Sequence, residues 1–342
     1  MQKKSWFYCR TLVSVIILSV LLSADSMADR PIVIAHRGAS GYLPEHTLAA
    51  KALAFGMGAD YLEQDLVLSK DGVPVVLHDI HIDTVTDVAT IFPDRKREDG
   101  RFYALDFTVA EIKQLSVSER RQISNGQAVF ANRFPVGNTA LTVPTFEEEL
   151  VLIAGMNRST GRTVGIYPEI KNPWWHQQQG VDLSRAVLDI LAKYDYQSKQ
   201  DACWLQCFEY HEVRRLRSEL GWNGRLVQLL ARGGTNVDGT DYEHLRTKSG
   251  LGELAKLVDG IGPEISSIVE GSSPVDRRLT SLVADAHEVG LVVHPYTIRA
   301  DALPRTVRTI DDLHDLLFNQ ARVDGAFTDF PDLMAIFLKQ NR

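Results

Sequence analysis

The chain has 342 residues, 44% of them hydrophobic, and a formal net charge of −7 at pH 7. This length suffices for one large domain with a substantial core, or for two domains. The acidic balance argues against nucleic acid as a partner, because a basic face is the usual footprint of a protein that binds it. The net negative charge does not exclude a small anionic substrate, because such a substrate needs only a local positive pocket.

Residues 1–28 have the pattern of a secretory signal peptide. Three cations precede or flank an almost wholly apolar run at residues 12–22, and Ser26 and Ala28 supply the small residues of a cleavage site. A transmembrane anchor is the alternative, but the run is too short to span a bilayer comfortably. Removing the segment takes away three cations and one anion, so the net charge of residues 29–342 becomes −9.

Strand-like and helix-like patterns alternate along the rest of the chain. Strands are predicted at residues 31–35, 61–68, 163–170, 203–208, 225–230, 257–262, 291–296 and 325–328. Helices are predicted at residues 45–57, 145–153, 183–193, 209–220, 274–289, 310–321 and 331–339. A further strand at 73–77 follows Asp71-Gly72, which is a hairpin signal. Eight strand–helix units favour a closed (β/α)8 TIM barrel of the α/β class, with an open doubly wound sheet as the alternative.

The stretch from about residue 80 to residue 143 breaks this alternation. It is rich in Asp, Arg, Gly, Asn and Phe, and it has little periodicity outside residues 109–115. We interpret it as an insertion mounted on the barrel. It is expected to be either a lid or wall of the functional site, or a plain surface excursion.

Two cysteines follow the predicted signal peptide, Cys203 and Cys207, on one predicted strand. Four residues of strand separate them by roughly 13 Å. A disulfide needs α-carbons closer than about 7 Å, so we expect two buried thiols. A metal pair is less favoured, because no His or Cys partner pattern accompanies them.

Polar residues lie at or near the carboxyl ends of several predicted strands, which form the active-site face of a (β/α)8 barrel. These residues are His36, Arg37, Glu63, Asp65, His78, Asp79, Glu169, Lys171, Gln206, His294 and Tyr296. Charged groups embedded in apolar strands are costly unless they are paired or bind a metal. Several of them on successive strands therefore indicate a shared pocket.

Glu63 and Asp65 are two residues apart, so on a strand they point to the same side. A hard divalent cation would relieve their repulsion, and Glu169 could supply a third oxygen ligand. Oxygen ligands suit Ca²⁺, Mg²⁺ or Mn²⁺ rather than Zn²⁺. Alternatively, Glu63 and Asp65 belong to an ordinary acidic surface of the strand that faces outward.

His36 and His78 are candidates for an acid and a base, since each follows an apolar strand and has a charged neighbour in the chain. Either could instead be a hydrogen-bonded structural residue. Arg37 and Lys171 could bind a phosphate, Arg through its planar fork and Lys as a point charge. The set fits metal-assisted phosphoryl transfer.

The residues now assembled resemble the signature of the glycerophosphodiester phosphodiesterase family. The matching motifs are Ile34-Ala35-His36-Arg37-Gly38-Ala39, Pro44-Glu45-His46-Thr47, Glu63-Gln64-Asp65, Val75-Val76-Leu77-His78-Asp79, Pro144-Thr145-Phe146-Glu147-Glu148, Pro168-Glu169-Ile170-Lys171, Leu205-Gln206-Cys207-Phe208 and Asp324-Gly325-Ala326-Phe327-Thr328-Asp329-Phe330-Pro331. They occur in order over essentially all of residues 29–342. The signal peptide, the long insertion and the His294-Pro295-Tyr296-Thr297 segment resemble the periplasmic bacterial branch.

The resemblance implies a (β/α)8 barrel that hydrolyses glycerophosphodiesters to glycerol 3-phosphate and an alcohol in the periplasm. It implies that His36 and His78 are the acid/base pair, in roles that are open to exchange. The implied metal ligands are Glu63, Asp65 and Glu169, with Ca²⁺ as the expected cofactor and Mg²⁺ as the alternative. The implied substrate-binding residues are Arg37, Lys171, Gln206 and Tyr296.

Two other functions remain open at this stage. A phospholipase acting on intact lipids would need an exposed apolar rim, for which Trp174-Trp175 is the candidate, although loop packing or a wall of the glycerol pocket is the preferred interpretation of that pair. A non-catalytic binding or adhesion protein could use the same barrel. The sequence leaves the oligomeric state open, with a homodimer as the candidate.

Overall fold

A computed structural model describes residues 30–137 and 139–341. The predicted signal peptide, residues 1–28, lies outside these described residues. Among the helices of the described part, none combines the length and the apolar character that a membrane span requires.

Strands and helices alternate through most of the described chain. The strands are β1 (Ile32–Ala35), β2 (Tyr61–Leu68), β3 (Pro74–Val76), β4 (Gly165–Ile170), β5 (Trp204–Cys207), β6 (Arg225–Leu230), β7 (Gly260–Pro263), β8 (Val269–Glu270), β9 (Arg278–Leu279), β10 (Val292–Val293) and β11 (Gly325–Thr328). The helices are α1 (Leu48–Gly56), α2 (Val88–Ile91), α3 (Val109–Ile112), α4 (Phe146–Thr160), α5 (Pro173–Gln178), α6 (Leu183–Lys193), α7 (Tyr210–Ser218), α8 (Tyr242–Leu245), α9 (Lys248–Leu254), α10 (Leu282–Glu288), α11 (Ile310–His314) and α12 (Pro331–Gln340).

Eight of these strands form a closed parallel barrel. In space they follow the order β1, β2, β4, β5, β6, β7, β10, β11, and β11 pairs in parallel with β1. Backbone hydrogen bonds join the remaining edge: the Asp324 amide donates to the Val293 carbonyl and the Phe327 amide donates to the Pro295 carbonyl, each at 3.0 Å. The (β/α)8 prediction is confirmed, and the alternative of an open doubly wound sheet is wrong, because these hydrogen bonds join the two ends of the strand order, β10 and β11.

Helix boundaries follow local capping chemistry. The Thr47 hydroxyl accepts a hydrogen bond from the Ala50 amide at the start of α1. At the start of α4, Thr145 and Glu148 form a reciprocal capping box, which satisfies two amides that would otherwise lack partners. The buried faces of these helices pack on the outer faces of the strands in one main hydrophobic core.

One predicted helix is wrong over its first half. The sequence predicts a helix at residues 274–289, but α10 begins only at Leu282, and β8 and β9 form a small antiparallel hairpin before it. In the intervening turn the Asp276 carboxylate accepts hydrogen bonds from the amides and hydroxyls of Ser272 and Ser273. Such local bonds compete with helix formation. Val275, which contributed to the helical pattern, is 87% exposed.

Residues 80–143 have an apolar core of their own. Ile82, Phe102, Phe107 and Ile112 are fully or almost fully buried, and they cluster with Val67, Val75 and Leu77 from the β2–β3 hairpin and the residue that follows it. Short helical turns replace long helices here, and ion pairs such as Arg101 with Asp83, at 2.7 Å, hold the turns together. Periodicity is weak in this segment because no element in it is long enough to repeat.

The two cysteines behave as predicted. Cys203 and Cys207 are free and buried. Burial raises the pKa of both thiols, because the thiolate would lose its hydration in the core.

A fully buried ion pair supports the strand that carries the acidic residues. The Lys51 ammonium on α1 lies 2.9 Å from the Glu149 carboxylate on α4, and both side chains are inaccessible to solvent. The same ammonium also donates to the backbone carbonyl of Glu63 on β2. One cation therefore ties two helices to the backbone of this strand.

We predict that Lys51→Met lowers the free energy of unfolding by about 3–5 kcal/mol, because it leaves Glu149 charged and unpaired in the core. The double variant Lys51→Met/Glu149→Leu should recover much of this loss, since an apolar pair of similar volume avoids the desolvation cost. Denaturant titration measures both. A loss below about 1 kcal/mol in the single variant contradicts a structural role for this pair.

Candidate active site

A cavity of about 240 Å³ opens among the carboxyl ends of the barrel strands. All nine predicted site residues line it: His36, Arg37, Glu63, Asp65, His78, Glu169, Lys171, Gln206 and Tyr296. Phe208, Leu229, Glu264, Thr297, Arg299 and Phe327 complete the wall. The nine predicted residues lie up to 260 positions apart in the sequence. They meet because the parallel strands bring their carboxyl ends to one face of the barrel.

The His36-Arg37-Gly38 turn is shaped by its backbone. Arg37 has a φ of 59° and Gly38 a φ of 84°, both in the left-handed region. A Cβ on Gly38 would lie 2.8 Å from the backbone carbonyl carbon of Ala50, so only glycine fits there. The turn directs the Arg37 amide at Glu63, whose Oε2 accepts its hydrogen bond at 2.5 Å. Strained non-glycine backbone of this kind is characteristic of functional sites.

Three carboxylates are buried at the floor of the cavity. Glu63, Asp65 and Glu169 are 2%, 1% and 5% exposed. The Lys171 ammonium lies 2.8 Å from Glu169 Oε1 and 3.7 Å from Asp65 Oδ1. The Arg37 Nε lies 3.5 Å from Asp65 Oδ2. Two cations thus face three acids at close range.

The pKa values of the three acids are driven apart. Burial, reinforced by Asp65, raises the pKa of Glu63 well above its ordinary value. Burial also raises the pKa of Glu169 to about 8. Burial opposes ionisation of Asp65 too, but Lys171 and His78 hold its pKa well below the ordinary value. A further positive charge at this place would allow all three to ionise together.

The donor groups fit a cation. One donor atom each from His46, Glu63 and Asp65 lies within 4.8 Å of the other two. Asp65 Oδ1 is buried and has no hydrogen-bond partner among the described residues. The His46 Nε2 lies 2.7 Å from Asp65 Oδ2, and burial lowers the pKa of this histidine to about 3. A neutral ring in this position can donate its proton to Asp65 and fix the carboxylate, or turn toward a cation.

His46 is not among the predicted site residues, although it belongs to the Pro44-Glu45-His46-Thr47 motif. The sequence feature that could have identified His46 is the adjacent Thr47, which caps α1 and so places His46 just before that helix, beside β2. Glu169 lies outside this compact triad, and its carboxylate is paired with Lys171. Its role as a metal ligand stays a prediction.

Each of the two candidate acid/base residues is backed by an aspartate. His36 Nδ1 lies 2.6 Å from Asp329 Oδ1, and His78 Nδ1 lies 2.7 Å from Asp79 Oδ1. With Nδ1 engaged in each ring, Nε2 is the atom available for proton transfer. Burial, reinforced by Arg37, lowers the pKa of both imidazoles to about 4. A bound phosphodiester anion would offset that positive charge and make protonation of one ring easier.

The comparisons with known proteins agree with this geometry. Residues 36–333 match the profile of the glycerophosphoryl diester phosphodiesterase family. A glycerophosphodiester phosphodiesterase of Haemophilus influenzae is 43% identical over 338 residues, which cover 93% of this chain and 92% of the relative. One from Treponema pallidum is 38% identical over 349 residues and covers 97% of each chain. The chain belongs to the glycerophosphoryl diester phosphodiesterase family.

Solved structures support the fold of this family member. A glycerophosphoryl diester phosphodiesterase structure from Silicibacter pomeroyi matches with a TM-score of 0.66 at 23% identity, covering 91% of this chain and 94% of that one. A phosphodiesterase from Oleispira antarctica, solved in complex with the product sn-glycerol-3-phosphate, matches with a TM-score of 0.61 at 20% identity, covering 91% and 97%.

Two other polar or aromatic candidates lie outside the cavity wall. His294 points into the barrel interior, where its Nδ1 lies 2.9 Å from the Tyr167 hydroxyl. The two tryptophans belong to the short helix α5 and not to a loop. Trp175 stacks on Tyr103 with ring centroids 5.5 Å apart, while Trp174 is 42% exposed. Neither tryptophan forms part of the wall around the carboxylates.

We predict that Glu63→Gln and Asp65→Asn each weaken Ca²⁺ binding by on the order of tenfold or more, because each removes a negative oxygen donor. Glu209→Gln is the matched control, since Glu209 is also a buried carboxylate (4% exposed) but lies outside the donor set. Calorimetric titration of Ca²⁺ into chelator-treated protein measures the affinity. Wild-type affinity in both site variants contradicts the assignment.

Proposed function

We propose that this protein hydrolyses glycerophosphodiesters to glycerol 3-phosphate and an alcohol. One observation carries the proposal: two histidine–aspartate pairs, two cationic side chains and three buried carboxylates face a single cavity. The names of the two relatives that are 43% and 38% identical give the same reaction. Family membership narrows a generic phosphodiester site to substrates that contain a glycerol phosphate.

The proposed reaction begins with attack of a glycerol hydroxyl on phosphorus. His36 Nε2 takes the hydroxyl proton while the new P–O bond forms, and His78 Nε2 gives a proton to the oxygen of the departing alcohol as its P–O bond breaks. Water then opens the cyclic phosphate, with each histidine reversing its role. The base role of His36 and the acid role of His78 are open to exchange. The distances from Nδ1 to the aspartate oxygen differ by only 0.1 Å between the two rings, so the geometry does not distinguish them.

Arg37 and Lys171 are proposed to hold the phosphate. Both line the cavity, and their charges would offset the charge that develops on the phosphoryl oxygens. Gln206 and Tyr296 are proposed to position the glycerol moiety from the neighbouring walls. Tyr296 packs edge-on against Phe208, with ring centroids 5.7 Å apart, and this contact limits its freedom.

We propose Ca²⁺ as the cofactor, held by Glu63, Asp65 and Glu169, with Mg²⁺ as the alternative. Carboxylate oxygens support this choice, because hard cations prefer them. When bound, the cation would supply positive charge close to the phosphate. Lys171 pairs with Oε1 of Glu169, so ligation by this carboxylate would use Oε2, or would exchange the ammonium for the metal and leave Lys171 for the phosphate.

Export to the periplasm is also proposed, on the pattern of residues 1–28. A homodimer stays a prediction.

We predict that the wild-type protein releases glycerol 3-phosphate from glycerophosphocholine and from glycerophosphoethanolamine, that exhaustive chelation abolishes release, and that added Ca²⁺ restores it. An enzyme-coupled assay for glycerol 3-phosphate measures all three arms. Phosphatidylcholine vesicles form a parallel arm for the rival phospholipase activity. Activity confined to the vesicles, or full activity after chelation, would contradict the proposal.

A further inference from the structure

Arginines from residues 80–143 reach the aspartates behind both histidines. The Arg120 Nη1 donates to Asp79 Oδ2 at 2.6 Å, and the opposite oxygen of this carboxylate is the one that faces His78. The Arg133 Nη2 donates to Asp329 Oδ2 at 2.7 Å, and the opposite oxygen again faces the histidine. Each aspartate therefore bridges a histidine of the barrel and an arginine of the inserted segment.

We propose that Arg120 and Arg133 are positioning residues for the two histidines, and that supplying them is the function of the inserted segment in this enzyme. The inference rests on the proposed function, in which His36 and His78 transfer protons. We call the two side chains the arginine clamp.

The Arg133 side of the clamp is almost inaccessible. Its side chain is 5% exposed, and two further hydrogen bonds, of 2.8 and 3.0 Å, join its guanidinium to the Asp301 carboxylate. The ring of Phe130 covers the guanidinium at 3.7 Å. Arg299 donates to the same oxygen of Asp329 at 2.9 Å. Held on Oδ2 by two cations, this carboxylate presents Oδ1 to His36 in one orientation.

On the other side of the clamp, Arg120 links His78 to Arg37, the side chain proposed to hold the phosphate. Besides Asp79, Arg120 binds Glu45 through two hydrogen bonds, from Nη2 at 2.6 Å and from Nε at 2.9 Å. Glu45 Oε2 also accepts a hydrogen bond from Arg37 Nη1 at 3.0 Å. One guanidinium thus fixes the aspartate behind His78 in relation to the side chain proposed to hold the phosphate.

Two other arginines of the segment bind within it. The guanidinium of Arg121, the next residue after Arg120, donates to the backbone carbonyls of Asp83 and Thr86 within the segment. Arg101 pairs with Asp83, also inside the segment. These two hold the fold of the segment, whereas Arg120 and Arg133 leave it and reach barrel residues.

The clamp has a defined chemical consequence. A carboxylate held by a guanidinium stays ionised and keeps one rotamer, so it accepts the Nδ1 proton and leaves the Nε2 lone pair directed at the cavity. Partners that orient a functional histidine in this way are worth about 10–100-fold in activity. Loss of Arg133 should therefore lower kcat more than it changes KM. Loss of Arg120 should change both, because Glu45, which binds Arg37, loses its other guanidinium partner.

The experiment compares two substrates that differ in the leaving group. Glycerophosphocholine needs a proton on its departing alcohol, whereas a p-nitrophenyl ester of glycerol phosphate leaves as a stable phenolate. Arg120→Gln should lose about 10–100-fold in the single-turnover rate of leaving-group release on the first substrate and much less on the second, because in that step only the first substrate needs His78 as an acid. Arg133→Gln should lose a similar factor on both, because the base acts before either leaving group departs.

Arg121→Gln is the matched control, and all variants are assayed at saturating Ca²⁺ with thermal unfolding recorded. Lysine at position 120 or 133 should recover part of the loss, since it keeps one charged donor. If Arg133→Gln does not fold, Asp301→Asn weakens the anchoring of Arg133 without touching the aspartate behind His36. It should give a smaller loss with the same lack of leaving-group dependence.

The outcomes separate cleanly. If Arg133→Gln depends on the leaving group and Arg120→Gln does not, the clamp is supported, but His36 is the acid and His78 the base. Clamp variants that match Arg121→Gln on both substrates, or losses that follow only the fall in thermal stability, overturn the inference. An inactive wild-type protein would overturn the proposed function instead, so the two failures are distinguishable.

Discussion

Three carboxylates buried together at the mouth of the barrel are the constraint that organises this molecule. Glu63, Asp65 and Glu169 are each at most 5% exposed, and desolvation opposes the charge on every one of them. Such a cluster persists only where positive groups face it. Lys171 and Arg37 supply that charge from the cavity side, and the donor geometry leaves room for a cation to supply more.

The fold meets this requirement through the geometry of parallel strands. Strand β2 alternates its side chains, so both of its acids face inward, and β4 brings its glutamate into register beside Asp65. His36 directly follows β1, and His78 comes shortly after the hairpin strand β3. Residues 80–143 follow this hairpin directly, and for that reason their arginines can reach the site.

Much of this architecture was predictable, because strand ends and short motifs record it locally. The eight strands and the nine cavity residues follow from apolar runs that end in polar groups. The aspartate behind His36 was not recognised, since that pair joins residues 293 positions apart and neither side chain shows it alone. The role of Arg120 was not predicted for a similar reason. Its partner Asp79 lies 41 positions earlier in the chain, and Arg120 itself belongs to a segment with little periodicity. The helix predicted at 274–289 failed because serine–aspartate bonds in a turn outweighed an apolar pattern.

The central claim is that two aspartate-backed histidines act on one phosphodiester across the buried charge cluster. The most direct test is kcat for glycerophosphocholine in His36→Ala and in His78→Ala, with folding checked by circular dichroism and Ca²⁺ affinity checked by calorimetry. Each variant should stay folded, keep its affinity for Ca²⁺ and lose at least about 10²-fold in turnover, because positioned proton transfer contributes that much. Wild-type turnover in either folded variant would contradict it.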